Sequence, residues 1–150
     1  MSRVVLLDAG PLGLVTNPRR SLQSVACTRW LQSLVAGGTR VYLPEIADYE
    51  VRRELLRANK GPGLARLDAL ARLVEYLPLS TTAMRQAAVY WAQARQQGQP
   101  TAGDKMLDAD VILAAQATTL GVADLVIATT NVGHLSRFVT AALWQSIRSP

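Results

Sequence analysis

The chain has 150 residues, 49% of them hydrophobic, with one cysteine and a formal charge of +5. That length suits one domain over residues 1–150 with a single core; the composition is too apolar for disorder and too poor in cysteine for a disulfide scaffold or a cysteine-held zinc. The apolar start Val4-Val5-Leu6-Leu7 is cut by Asp8 too early for a signal-peptide core, and Gln116, Gly121 and Asp124 interrupt the apolar stretch 111–128, against a membrane span, so a soluble cytoplasmic domain is expected.

The unbroken run from Val4 to Leu7 predicts a strand buried on both faces, and Gly10, Pro11 and Gly13 read as a break after it. Leu22, Val25, Cys27, Trp30, Leu31 and Leu34 recur at helical spacing and predict a helix over 20–36, stopped by Gly37-Gly38. A second strand over 41–43 leads into a helix over 45–59 that Pro44 opens. Gly61-Pro62-Gly63 reads as the end of that arm, and 64–73 is helical again. A third strand is predicted over 74–77, then a helix to Gln97 capped by Ser80 or Thr81. Residues 97–103 read as a polar surface loop, 108–120 as a helix ended by Gly121, and 125–129 as a fourth strand. A helical turn near His134 and a last strand over 142–144 complete the series. Strands alternating with helices define an α/β domain with a mostly parallel sheet. In such sheets ligands bind beyond the carboxyl ends of the strands.

Acids and neutral oxygens fall at that edge. Asp8 follows the first strand directly, where an Asp also serves simply to cap a turn. Glu50 lies on the helix after strand two, four residues from Ile46; either this face packs inward or Glu50 belongs to a solvated, salt-bridged row with Arg53, Glu54 and Arg57. Asp108 and Asp110 open the late helix, about 200° apart at 3.6 residues per turn. Only one of them shares a site with Asp8 unless Asp108 precedes the helix proper. Thr129 and Asn131 follow strand four. Carboxylates gathered in a cleft repel one another, and a divalent cation removes the conflict. An all-oxygen set with no required His or Cys favours Mg²⁺ or Mn²⁺.

These residues, in this order, resemble the PIN-domain family of metal-dependent nucleases, and within it the VapC-like ribonuclease toxins. The matching pieces are the segments ending at Asp8 and Glu50, the helix from Asp110, and the strand end at Thr129 to His134, so the resemblance spans almost the whole chain. Trp144 also fits the family's last strand. The resemblance implies a three-layer α/β/α sandwich on a central, mostly parallel five-stranded sheet. It implies Mg²⁺ or Mn²⁺ at Asp8, Glu50 and Asp110, with Asp108 as supporting or alternative ligand. Asn131 matches a fourth site position that holds Asp or Asn, and Thr129 is auxiliary to it. It further implies hydrolysis of RNA phosphodiesters, a homodimer, and an antitoxin protein as partner.

A non-catalytic PIN-like module that grips nucleic acid or protein is the rival reading. A phosphoacceptor receiver is disfavoured, because Asp8 is unpaired and the only lysines are Lys60 and Lys105. A serine hydrolase lacks its nucleophile elbow. His134, the only histidine, reads as a local hydrogen-bonding or packing residue. Cys27 reads as a core residue, and Trp30, Trp91 and Trp144 as packing or dimer contacts. Arg52, Arg53 and Arg57, with Lys60, form a basic run suited to RNA, to an acidic partner helix, or to plain solvation.

Overall fold

The computed structural model describes residues 3–97 and 104–148. Five strands are hydrogen-bonded in the order β3-β2-β1-β4-β5: β1 (Val4–Leu7), β2 (Arg40–Pro44), β3 (Glu75–Leu77), β4 (Leu125–Thr129) and β5 (Ala141–Leu143). Every pairing is parallel, so the sheet expected to be mostly parallel is wholly so.

Among the described residues six α-helices cover it. Alternate residues of β1 point to opposite faces, and both faces are packed. Val5 and Leu7 meet α1 (Ala9–Thr16), α2 (Leu22–Ala36), α3 (Glu45–Arg57) and α4 (Gly61–Leu73) through Leu12, Leu31, Leu34, Val51 and Leu67. Val4 and Leu6 join Leu113 and Ala117 of α6 (Asp104–Thr118) on the other face. There α5 (Thr81–Gln96) packs on α6 through Ala83, Ala87, Val111 and Ala115. The three-layer arrangement is therefore present. Among the described residues no helix is long and apolar enough to cross a membrane.

Local chemistry explains where several sequence-based boundaries move. Gly10, Pro11 and Gly13 do not break the chain; they lie inside α1. Asp8 caps that helix, its Oδ1 accepting from Ala9 N at 2.7 Å. Pro11 sits in the first turn, where a missing N–H costs nothing. Gly61-Pro62-Gly63 likewise begins α4 rather than ending α3. The real stop of α3 is Asn59, at φ 54°, with Asn59 N bonded to Leu56 O and Lys60 N to Leu55 O at 2.9 Å, a Schellman closure. Gly38, at φ 85°, closes α2 in the same way as expected. Helix α6 starts at Asp104, four residues earlier than 108. The polar loop expected over 97–103 lies, apart from Gln97, outside the described residues. Trp144 falls just past β5, buried against Trp30 with ring centroids 5.7 Å apart. Cys27 is a core residue, its thiol pushed up to about 12 by burial.

Candidate metal centre

The sheet places the site. Because β1 lies between β2 and β4, the connections leaving β1 and β4 diverge and open a crevice at their carboxyl ends. In register, Leu7 stands beside Ala128, so the next residues on each strand, Asp8 and Thr129, are neighbours. The crevice is a cavity of about 560 Å³. Asp8, Glu50, Asp108, Asp110, Thr129 and Asn131 all line it, so every acid and oxygen donor assigned to the site from sequence is brought to one place.

Asp8 is the most constrained of them. Its Oδ2 accepts from Thr129 Oγ1 at 2.7 Å, and its Oδ1 is held by Ala9 N. Burial raises its pKa above the ordinary carboxylate value, against the lowering effect of those two hydrogen bonds. Thr129 Oγ1 in turn accepts from Asn131 N at 3.1 Å, which turns the loop after β4. The Oδ1 of Asn131 accepts from Gly133 N at 3.0 Å, so this side-chain oxygen shapes its own loop.

Glu50 and Asp110 close the cavity from α3 and α6. Burial pushes Glu50 up to about 7, reinforced by the negative charge of Asp8 and, less, of Asp110, and opposed by Arg53. Burial and the charge of Asp8 push Asp110 up to about 6, opposed by His134. Asp110 Oδ2 is buried without a hydrogen-bond partner. Asp108 is exposed at the rim, while Asp110 is half-buried and is the more inward acid of the two. An orphaned carboxylate oxygen beside two further acids whose charged forms are penalised by burial fits a divalent cation. Among the described residues no three Asp, Glu, His or Cys side chains gather closely enough to enclose an ion. Of the divalent ions, Mg²⁺ asks least of such a set, since it keeps several waters and takes few protein ligands.

The basic run divides into three different jobs. Arg52 turns away from the cavity: its Nε donates to Asp48 Oδ1 at 3.0 Å and an Nη to Asp68 Oδ1 at 2.8 Å. Asp48, which is buried, also accepts from Tyr76 Oη at 2.6 Å, so this cluster ties α3 to α4 and β3. Arg57 pairs with Glu54 on an exposed face. Arg53 lines the cavity, its guanidinium 5.0 Å from the ring centre of Tyr49. Tyr49 and His134 also line it and were not assigned to the site from sequence. A tyrosine one residue before Glu50 carries no periodic signal of its own. The place of His134 depends on the fold of the loop after β4.

No family model and no curated protein matches the sequence. Solved structures do share its fold. One is VapBC2 from Rickettsia felis bound to a DNA fragment from their promoter, with TM-score 0.73 and 15% identity over 94% of this chain and 98% of that one. FitAcB from Neisseria gonorrhoeae matches with TM-score 0.71 and 24% identity over 95% and 99% of the two chains. VapBC-1 from nontypeable Haemophilus influenzae gives 0.68 and 18% over 95% and 99%. The architecture is the PIN-like fold expected from the sequence.

Proposed function

We propose that this protein is a divalent-metal-dependent endoribonuclease and the toxin of a toxin–antitoxin pair. The single observation that carries the catalytic part is the orphaned Asp110 Oδ2 in a cavity walled by two more acids, Asp8 and Glu50. Those three residues would hold Mg²⁺ or Mn²⁺, with Asp108 at the rim and Asn131 at the loop as auxiliary groups. A bound divalent ion supplies neutralisation of phosphate charge and a water of lowered pKa. The chain's own residues do the rest. Thr129 and Ala9 N fix the Asp8 carboxylate in one rotamer. Arg53, propped on Tyr49, stands at the cavity wall where a phosphodiester oxygen needs a cationic donor.

The toxin assignment is supported by the shared fold with VapBC structures, which are toxin–antitoxin complexes. An antitoxin protein is then the expected partner, RNA the substrate and the cytoplasm the place of action. A homodimer is supported by Met84 and Trp91 of α5, 43% and 40% exposed beside Val111 and Ile112. The test is cleavage of single-stranded RNA by the purified chain with Mg²⁺ or Mn²⁺. Cutting is expected to stop with EDTA and to fall at least about 100-fold in Asp8→Asn, the scale for losing one strong electrostatic contact to the transition state. Equal cutting by Asp8→Asn contradicts the assignment. The openness of the acid set favours the rival reading, a module that binds without cutting. Folded protein that binds RNA but takes up no metal would establish it.

A further inference from the structure

The acid cavity adjoins a second one of about 430 Å³, and Ala9, Glu50 and Arg53 line both. Beyond Arg53 the character changes. Arg57, its partner Glu54 and Lys60 line one side, and Gly13, Thr16 and Asn17, from α1 and its end, line the other. Arg53 and Arg57, four residues apart, share one edge of α3; Lys60 lies beyond the stop at Asn59 and joins them by lining the same cavity. Arg53 and Arg57 are separated by about 6 Å along the axis at 1.5 Å per residue.

The three cations differ in how they are engaged. Neither Arg53 nor Lys60 makes a side-chain hydrogen bond or ion pair with another described residue, although Arg53 rests over Tyr49. Arg57 is bound to Glu54, but that pair is solvent-exposed, and such pairs contribute little. Lys60 is held in place by its backbone, through the closure at Asn59. The two cavities thus meet at Arg53, with the acid set on one side and Arg57, Lys60 and the paired Glu54 on the other.

We propose that the second cavity is a backbone subsite: it seats the phosphate next to the scissile one in a single-stranded nucleic acid, with Arg53 between the two phosphates and Lys60 at the far end. This rests on the ribonuclease reading of the acid cavity. It adds the direction in which the strand leaves that cavity, along α3 toward α4. A single strand suits the adjoining cavities because its backbone is not held to the pitch of a duplex and can bring successive phosphates against one helix edge.

The test is equilibrium binding of a short unstructured RNA, followed by fluorescence anisotropy across a salt series in an Asp8→Asn background so that the strand stays intact. Lys60→Gln and Arg53→Gln are each expected to weaken binding several-fold. Each should also lower the slope of log affinity against log salt by about 0.7, the single-strand value for one phosphate contact. Arg72→Gln removes an equal charge from the exposed face of α4 and is expected to change neither quantity. If Lys60→Gln and Arg53→Gln match Arg72→Gln while the parent binds RNA, the subsite is wrong and the ribonuclease reading stands. If the folded parent binds no RNA even at low salt, and the wild-type chain cuts none, the ribonuclease reading itself falls and the subsite with it.

Discussion

Thr129 Oγ1 donates to Asp8 Oδ2 at 2.7 Å across the ends of two adjacent parallel strands. The hydroxyl spends its one proton on the carboxylate and takes one from Asn131 N, so it links the acid to the loop that follows β4. Thr129→Val keeps the shape and removes both bonds. Supporting groups of this kind typically contribute 10- to 100-fold in metal affinity or activity, and a loss in that range is expected. Thr129→Ser is expected to restore most of it. Isothermal titration with Mn²⁺ measures the effect directly, and an unchanged affinity in Thr129→Val would show that the bond is structural only.

Asp110 is a destabilising group in the metal-free chain. Its Oδ2 is buried without a partner beside the charge of Asp8. Asp110→Asn removes the charge at constant shape, so the metal-free protein is expected to melt at a higher temperature than the parent. The same variant should lose the rise in melting temperature that Mg²⁺ gives the parent. A variant less stable than the parent without metal would mean that the carboxylate is satisfied in solution.

The same acids set a pH dependence. Glu50 and Asp110 are raised to about 7 and about 6, from ordinary values of 4.5 and 3.8. Both are acids with folded values above the unfolded ones. Between those values the folded chain holds protons that the unfolded chain has released, so metal-free stability is fully present below the unfolded values and declines as pH rises through 6 to 7. In EDTA the melting temperature is expected to be lower at pH 8 than at pH 5, and Mg²⁺ should narrow the gap. Exposed Glu54 and Glu75, which are lowered by Arg57 and Arg40, act below this window. A melting temperature in EDTA that is flat or rises from pH 5 to pH 8 would contradict the shifts.

Gly10 leaves room for Thr130. A Cβ built on it would stand 2.5 Å from Thr130 Oγ1 and 2.6 Å from its Cγ2. Gly10→Ala must push the β4 loop away from α1, with a cost of about 1–3 kcal/mol for overpacking. Thr130→Gly in the same chain is expected to recover most of that loss, because the clashing side chain is gone. Chemical denaturation of the two variants checks the pairing, and an additive loss would place the strain elsewhere.

The sheet was legible because burial on both faces writes an uninterrupted apolar run, as in Val4–Leu7, and parallel connections alternate helix with strand. Asp8 and Thr129 were legible for the same reason, since strand ends locate them. Gly10-Pro11 and Gly61-Pro62-Gly63 misled because proline and glycine punctuate loops and helix first turns alike, and only the cap from Asp8 or the stop at Asn59 tells which. The choice between Asp108 and Asp110 depended on the phase of α6, which is fixed by Val111 and Ala115 packing on α5. The run Arg52, Arg53, Arg57 was visible, but its division was not. Successive residues point about 100° apart on a helix, and the partner that takes Arg52 inward, Asp68, lies on another helix.

The central claim is that Asp8, Glu50 and Asp110 form one divalent-metal site. Calorimetric titration of metal-free protein with Mn²⁺ at pH 7 tests it most directly. Saturable binding with release of protons is expected, since Glu50 at about 7 is half-protonated there. Binding should be lost or severely weakened in Asp8→Asn, Glu50→Gln and Asp110→Asn alike. No binding by the folded parent, or equal binding by the three variants, would contradict the site.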